Sequence, residues 1–123
     1  MYMQDHIELA TKLAKNSTHR YFHHGAIIGK GRRILAVGWN KPENHNKMVV
    51  RWPHGSDHAE VDCLRQVTRD QAKGTVLYSV RVRHSGTTGN AKPCRMCMSL
   101  IKSYGIKRVV YTKDDGQTVI ETI

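Results

Sequence analysis

The sequence predicts an α/β domain in which helices join the strands of a mixed sheet of about five strands. Three observations carry this expectation. Apolar residues recur at helical spacing in three segments, short β-rich runs bounded by glycine lie between them, and two of the helical segments connect one strand-like run to the next. The 123 residues amount to one folded unit, residues 1–123, with enough chain to bury a core without disulfide support.

In the first segment Met3, Ile7, Ala10 and Ala14 share one helical face, which Leu9 and Leu13 widen until Asn16-Ser17-Thr18 ends it. Residues 25–29 and 33–39 read as two strands joined by the turn Lys30-Gly31-Arg32. Residues 40–57 have no periodicity and contain Pro42 and Pro53, so a long loop is expected there. A second helix is expected over 58–70, with Val61, Leu64 and Val67 facing inward and Gly74 marking its exit. Residues 75–82 alternate as a strand, with Val76, Tyr78, Val80 and Val82 on one face. A loop over 84–92 leads to Pro93, which suits the first turn of a third helix; Met96, Leu100 and Ile101 are expected to pack inward and Gly105 to cap it. Residues 106–112 form the next strand, and Asp115-Gly116 is a hairpin turn into a last strand over 118–123.

Composition narrows the function. Twenty Lys and Arg against ten Asp and Glu give a net charge of +10, which favours polyanions or phosphorylated small molecules as partners. The basic residues are scattered from Lys12 to Lys113 without a contiguous block, which also fits a merely solvated basic surface. No apolar run approaches the roughly 20 residues of a membrane span. The start Met1-Tyr2-Met3-Gln4-Asp5-His6 lacks the features of a secretory signal, so a cytoplasmic location is expected. Three cysteines, Cys63, Cys94 and Cys97, do not make a disulfide framework and leave metal binding, redox chemistry or packing.

Two short strings carry chemistry: His58-Ala59-Glu60 at the head of the second helix and Pro93-Cys94-Arg95-Met96-Cys97 at the head of the third. Cys94 and Cys97 are three residues apart, so both sulfurs lie on one face of a helix start, where unpaired N–H groups favour thiolates. Thiolates with one imidazole, His58, make a three-ligand zinc site whose fourth position is left for water. Residues two apart on a helix point about 200° apart, so His58 and Glu60 address one point only if His58 sits at the cap; Asp57 is a credible N-cap residue. Glu60 is then a carboxylate beside the activated water rather than a ligand, taking a proton and handing it on.

The pattern His58-x-Glu60 followed by Pro93-Cys94-x-x-Cys97 resembles the zinc-deaminase signature of the cytidine and deoxycytidylate deaminase superfamily. Gly25-Ala26-Ile27-Ile28 with Gly38-Trp39-Asn40 is similar to that family's first hairpin, and Gly105-Ile106-Lys107-Arg108-Val109-Val110-Tyr111 to its strand after the cysteine helix. The resemblance covers most of residues 20–112 and implies a cytidine deaminase-like three-layer α/β/α fold, a Zn2+ cofactor held by His58, Cys94 and Cys97, and Glu60 as proton shuttle. It also implies that Asn40 touches the sugar or base edge, that Ala26 lines the base pocket, and that the backbone N–H groups of Ala59 and Cys94 face the substrate. The implied reaction converts cytosine to uracil with release of ammonia, and relatives commonly assemble as homo-oligomers.

Within that family, the expected substrate is a nucleoside or nucleotide, with deoxycytidylate favoured because a basic protein attracts phosphate. A cytosine or adenine in single-stranded DNA or RNA is the alternative, and a non-catalytic nucleic-acid-binding module stabilised by zinc is a third. Relatives acting on deoxycytidylate or on polynucleotides usually continue into a further helix and a parallel strand, whereas Asp115-Gly116 points to an antiparallel hairpin, as in the free-nucleoside branch. That branch commonly uses Cys where this chain has His58. A redox reading of Cys94-x-x-Cys97 gives His58 and Glu60 no role. A closed structural zinc would need Cys63, which is read instead as a core residue. Trp52 and Arg51 could stack a base and pair a phosphate, or simply anchor the long loop; His23, His24, His45 and His54 are read as surface or hydrogen-bonding residues.

Overall fold

The computed structural model describes residues 2–16, 23–40, 59–83, 85–114 and 116–123. The loop expected over 40–57 falls almost wholly outside them, as do Arg51, Trp52, His45, His54 and His58.

Helix α1 (Tyr2–Lys15) leads to the hairpin β1 (His23–Lys30) and β2 (Arg33–Trp39). Lys30 pairs with Arg33, so the turn is two residues, and Gly31 adopts φ 58°, a left-handed conformation that favours glycine. Helix α1 buries Ala10 and Ala14 against this hairpin. The approach is close enough that a Cβ on Gly25 would lie 2.1 Å from the Ala10 carbonyl oxygen, so helix backbone rests directly on strand backbone. His6 joins the same buried line, its Nε2 2.9 Å from the Gly31 carbonyl oxygen and its ring edge-on to Tyr78.

The helix expected over 58–70 is two helices, α2 (Ala59–Leu64) and α3 (Arg69–Ala72). Thr68 explains the break. Its extended backbone starts α3, its hydroxyl accepts from the Gln71 N–H at 3.1 Å, and the Gln71 side chain accepts from the Thr68 N–H at 2.8 Å. This reciprocal capping box competes with continuation of α2. Gly74, at φ 75°, ends the segment as expected.

Next come β3 (Val76–Val82), β4 (Thr88–Gly89), α4 (Arg95–Ser103), β5 (Arg108–Thr112) and β6 (Thr118–Thr122). Among the described residues the sheet has six strands rather than about five: the order is β2-β1-β3-β5-β6, with β4 paired to β3. Strand β4 lies inside the segment expected to be a loop, where Gly89 pairs with Arg81 and the Thr112 hydroxyl donates to the Gly89 carbonyl at 2.9 Å. Among the described strands only β3 and β5 are parallel, α4 being their crossover; β5 and β6 form the expected antiparallel hairpin.

Alternation along the strands makes two cores. Ile27, Tyr78, Val80, Val82 and Val110 pack with α1; Ala26, Ile28, Ala36, Leu77, Val109 and Tyr111 pack with Ala59, Cys63, Leu64 and Ile101 on the opposite face. The three layers expected from sequence are therefore present. Met96 departs from expectation: it is 40% exposed, while Cys97 and Ile101, four apart, take the sheet-facing line of α4. Met96 precedes that line by one residue and is turned about 100° from it. Pro93 lies before α4 rather than in its first turn, because Cys94 is the N-cap. Among the described residues, no helix is long and apolar enough to cross a membrane.

Candidate active site

The heads of α2 and α4 meet over the second core face. Helix α2 is brought there by Gly38, where a Cβ would lie 2.7 Å from the Ala59 carbonyl oxygen and 3.0 Å from the Cys63 nitrogen. Three polar side chains hold it. The Asp62 carboxylate accepts from the Trp39 N–H at 3.3 Å, the Gln66 amide both accepts from the Val37 N–H and donates to the Val37 carbonyl, and the Cys63 thiol donates to the Ala26 carbonyl at 3.1 Å. Cys63 is thus a buried core residue, as read from the sequence.

This docking buries Glu60 to 3% exposure. Its Oε1 has no hydrogen-bond partner among the described residues. Burial pushes the carboxyl up to about 7, partly offset by a hydrogen bond from its own backbone. A carboxyl so placed can both accept and release a proton near neutral pH, the property required of a shuttle.

Cys94 caps α4 with extended backbone, its sulfur accepting from the Cys97 N–H at 3.4 Å. Cys94 is exposed and Cys97 buried. Burial, the Glu60 carboxylate and Cys94 together hold the Cys97 thiol well above the usual range, which also places Glu60 within electrostatic reach of the cysteine pair. The thiolate character expected from the helix terminus alone is therefore overcome by burial at Cys97. A divalent cation reverses this balance, since a coordinating thiol is deprotonated outright. Two sulfurs at one helix head beside a buried, unpartnered carboxylate oxygen form a donor set that fits zinc. The third expected donor, His58, directly precedes Ala59 and lies outside the described residues, among which no three metal-ligating side chains gather.

The sheet supplies the floor. Gly38, Ala26, Ser79 and Tyr111 form one cross-strand row. Ala26 and Ser79 are fully buried, and the Ser79 hydroxyl, like Glu60 Oε1, has no hydrogen-bond partner among the described residues. The next row is Asn40, His24 and Arg81. The Asn40 N–H donates to the His24 carbonyl at 3.2 Å, the Asn40 side-chain oxygen accepts from the His24 N–H at 2.8 Å, and His24 pairs with Arg81. Asn40, Ala26, Ala59, Glu60, Cys94 and Cys97 thus belong to the two helix heads and the two adjoining rows. Ser79 and Arg81 escape a sequence reading because their membership depends on strand register.

A family model described as the cytidine and deoxycytidylate deaminase zinc-binding region matches residues 2–113. The chain is 29% identical over 125 residues to a deoxycytidylate deaminase of Mycobacterium phage D29, covering 86% of this chain and 90% of that one. The fold is similar to that of the dCMP deaminase from the cyanophage S-TIM5 in complex with dCMP and dUMP, with TM-score 0.65, 24% identity, and coverage of 90% of this chain and 80% of that one. It is also similar to cytidine deaminase from Burkholderia pseudomallei, with TM-score 0.72, 19% identity, and coverage of 99% and 93%.

Proposed function

The chain belongs to the cytidine and deoxycytidylate deaminase zinc-binding family, and on that premise we propose that this zinc-dependent deaminase acts on deoxycytidylate, with His58, Cys94 and Cys97 as zinc ligands and Glu60 as proton shuttle. The observation that carries the assignment of roles is the buried Glu60 carboxyl, raised to about 7, beside the cysteine pair at the head of α4. Bound zinc supplies the Lewis acidity that makes hydroxide available near neutral pH. Glu60 takes a proton from the attacking water, gives it to N3 of the cytosine ring, and then assists protonation of the departing amino group. The C4–N bond breaks, oxygen replaces nitrogen at C4, and the products are deoxyuridylate and ammonia. Asn40 holds the sugar or base edge, Ala26 lines the base pocket, and the backbone N–H groups of Ala59 and Cys94 face the substrate.

Deoxycytidylate is supported by the phage relative, which is a deoxycytidylate deaminase, and by the charge of +10. One observation favours the free nucleoside as a second reading: β6 runs antiparallel to β5, the arrangement associated with the nucleoside branch. The protein is expected to work in the cytoplasm as a single deaminase domain and as a homo-oligomer.

Ultraviolet absorbance with zinc-loaded protein tests the assignment, using deoxycytidylate, deoxycytidine, adenosine and cytosine-containing oligonucleotides as substrates. Turnover is expected to be fastest on deoxycytidylate. Glu60→Gln should lower it by roughly a thousandfold or more while zinc content is retained. Turnover of oligonucleotides alone would replace the mononucleotide assignment with a nucleic-acid one.

A further inference from the structure

Strand β6 forms one border of the described sheet, with β5 on its inner side. The hydrogen bonds that close this hairpin fix which way each peptide group of β6 points. The Lys113 N–H donates to the Gln117 carbonyl at 2.8 Å, and the Ile123 N–H to the Lys107 carbonyl at 3.0 Å. Between these two pairs the register sets Tyr111 against Val119 and Val109 against Glu121. Alternate residues of an antiparallel strand bond to the same neighbour, so Gln117, Val119, Glu121 and Ile123 turn their peptide groups toward β5. Thr118, Ile120 and Thr122 turn theirs outward, and none of the described residues hydrogen-bonds to them there.

The side chains of the same three residues are exposed, Ile120 at 53%, whereas Val119 and Glu121 between them are half-buried. Natural edges are commonly blunted by lysine, proline or a bulge. The run Gln117-Thr118-Val119-Ile120-Glu121-Thr122-Ile123 contains neither lysine nor proline, and its β-branched residues favour pairing. The opposite border differs. Strand β2 begins with Arg33 and carries an extra residue, Leu35, where Ile28 faces Ala36 and Gly29 faces Ile34, and a bulge of this kind bends an edge.

The outward row of β6 is complementary to a copy of itself. With two such strands antiparallel and Ile120 opposite Ile120, Thr118 falls opposite Thr122, and every outward N–H meets an outward carbonyl. The two isoleucines then cover one another, and each threonine pair adds a favourable cross-strand contact. Glu121, the charged residue of the strand, falls opposite Val119, so no like charges meet. Its carboxylate also accepts from the Tyr111 hydroxyl at 3.0 Å within its own chain.

We propose that the outer edge of β6 is a docking surface for a second copy of this chain, the two β6 strands pairing antiparallel about a two-fold axis at Ile120. Such a contact presents the same patch from both copies and closes at two. It uses no residue of the active site and is independent of the deaminase reading.

Sedimentation velocity of the full chain reads the association, and amide hydrogen exchange reads the edge itself. A strand pair this short makes a small interface, so the wild-type species should double in mass between about 1 and about 200 micromolar. In the associated protein the Thr118, Ile120 and Thr122 amides should exchange roughly tenfold or more slowly than in the dilute protein, while those of Val119 and Glu121 are protected in both. Ile120→Lys sets two ammonium groups side by side, and Ile120→Pro removes the central outward N–H from an edge that tolerates proline. Each should weaken the doubling roughly tenfold or more with an unchanged circular dichroism spectrum. Ile34→Lys, which alters an exposed isoleucine on β2, should associate as wild type does. Wild-type protein that stays monomeric across the range, Ile120→Lys protein that associates as strongly as wild type, or unprotected Thr118, Ile120 and Thr122 amides in the associated protein overturns the proposal. Should Ile120→Pro lose its fold, Ile120→Lys and the exchange rates decide alone.

Discussion

Helix α2 is fastened by contact along its own length, whereas α4 is placed by the chain that leads into it. At α2 the fit is at backbone distance: Gly38 admits the Ala59 carbonyl and the Cys63 nitrogen, and Asp62, Cys63 and Gln66 bond to β1 and β2. The route into α4 is pinned from a distance. The Asp114 carboxylate accepts from the Asn90 N–H at 2.8 Å and from Arg83, the Ala91 N–H donates to the Thr112 carbonyl at 2.8 Å, and Pro93 and Cys94 follow directly. The first arrangement buries an acid in a fixed, nonpolar setting; the second leaves one sulfur exposed and reachable. The proposed division of labour, a proton moved on one side and a metal admitted on the other, needs both.

The sharpest way to break this contrast is Gly38→Val. Its side chain must displace either strand or helix, so we expect about 3 kcal/mol or more of destabilisation in chemical denaturation, with loss of activity in the folded fraction. The acid itself gives the next largest effect. In metal-free protein the Glu60 carboxyl moves from 4.5 to about 7 on folding, so the native state binds more protons than the unfolded chain between those values. Stability should therefore fall as pH rises through that window, by about 3 kcal/mol from this group, and level off above it. Glu60→Gln should remove this component of the slope; denaturation midpoints across the window measure it. Asp114→Ala probes the other arm and should do least, about 1 kcal/mol, because its partners are exposed. Its effect should appear as several-fold weaker zinc binding in competition with a chromogenic chelator, with a smaller change in thermal stability than Gly38→Val.

Legibility in the sequence follows the same division. Helix α1, the first hairpin, β3 and the closing hairpin were readable because each is specified by local periodicity or a turn residue. The break before α3 was not, since Val67 continues the apolar spacing and only the mutual bonding of Thr68 and Gln71 ends α2. Strand β4 was hidden because two residues show no alternation, and its partners on β3 and β5 are distant in sequence. Met96 departs from its expected place because an apolar residue near a helix start counts toward a stripe whether or not its angle fits. At the site, Glu60, Cys94 and Cys97 were recognisable because their chemistry lies in short spacings at helix heads. Ser79 and Arg81 were not, because a serine and an arginine in a strand acquire meaning only when register shows what lies beside them.

The Gln66 amide has an effect beyond the fastening of α2. Among the described strands β2 ends the sheet, and such a border ordinarily offers peptide groups on which another molecule's strand can grow. At Val37 both groups are already occupied by the glutamine. An incoming strand must first evict that side chain, so a fastening made for the active site also guards the molecule against polymerisation along this border.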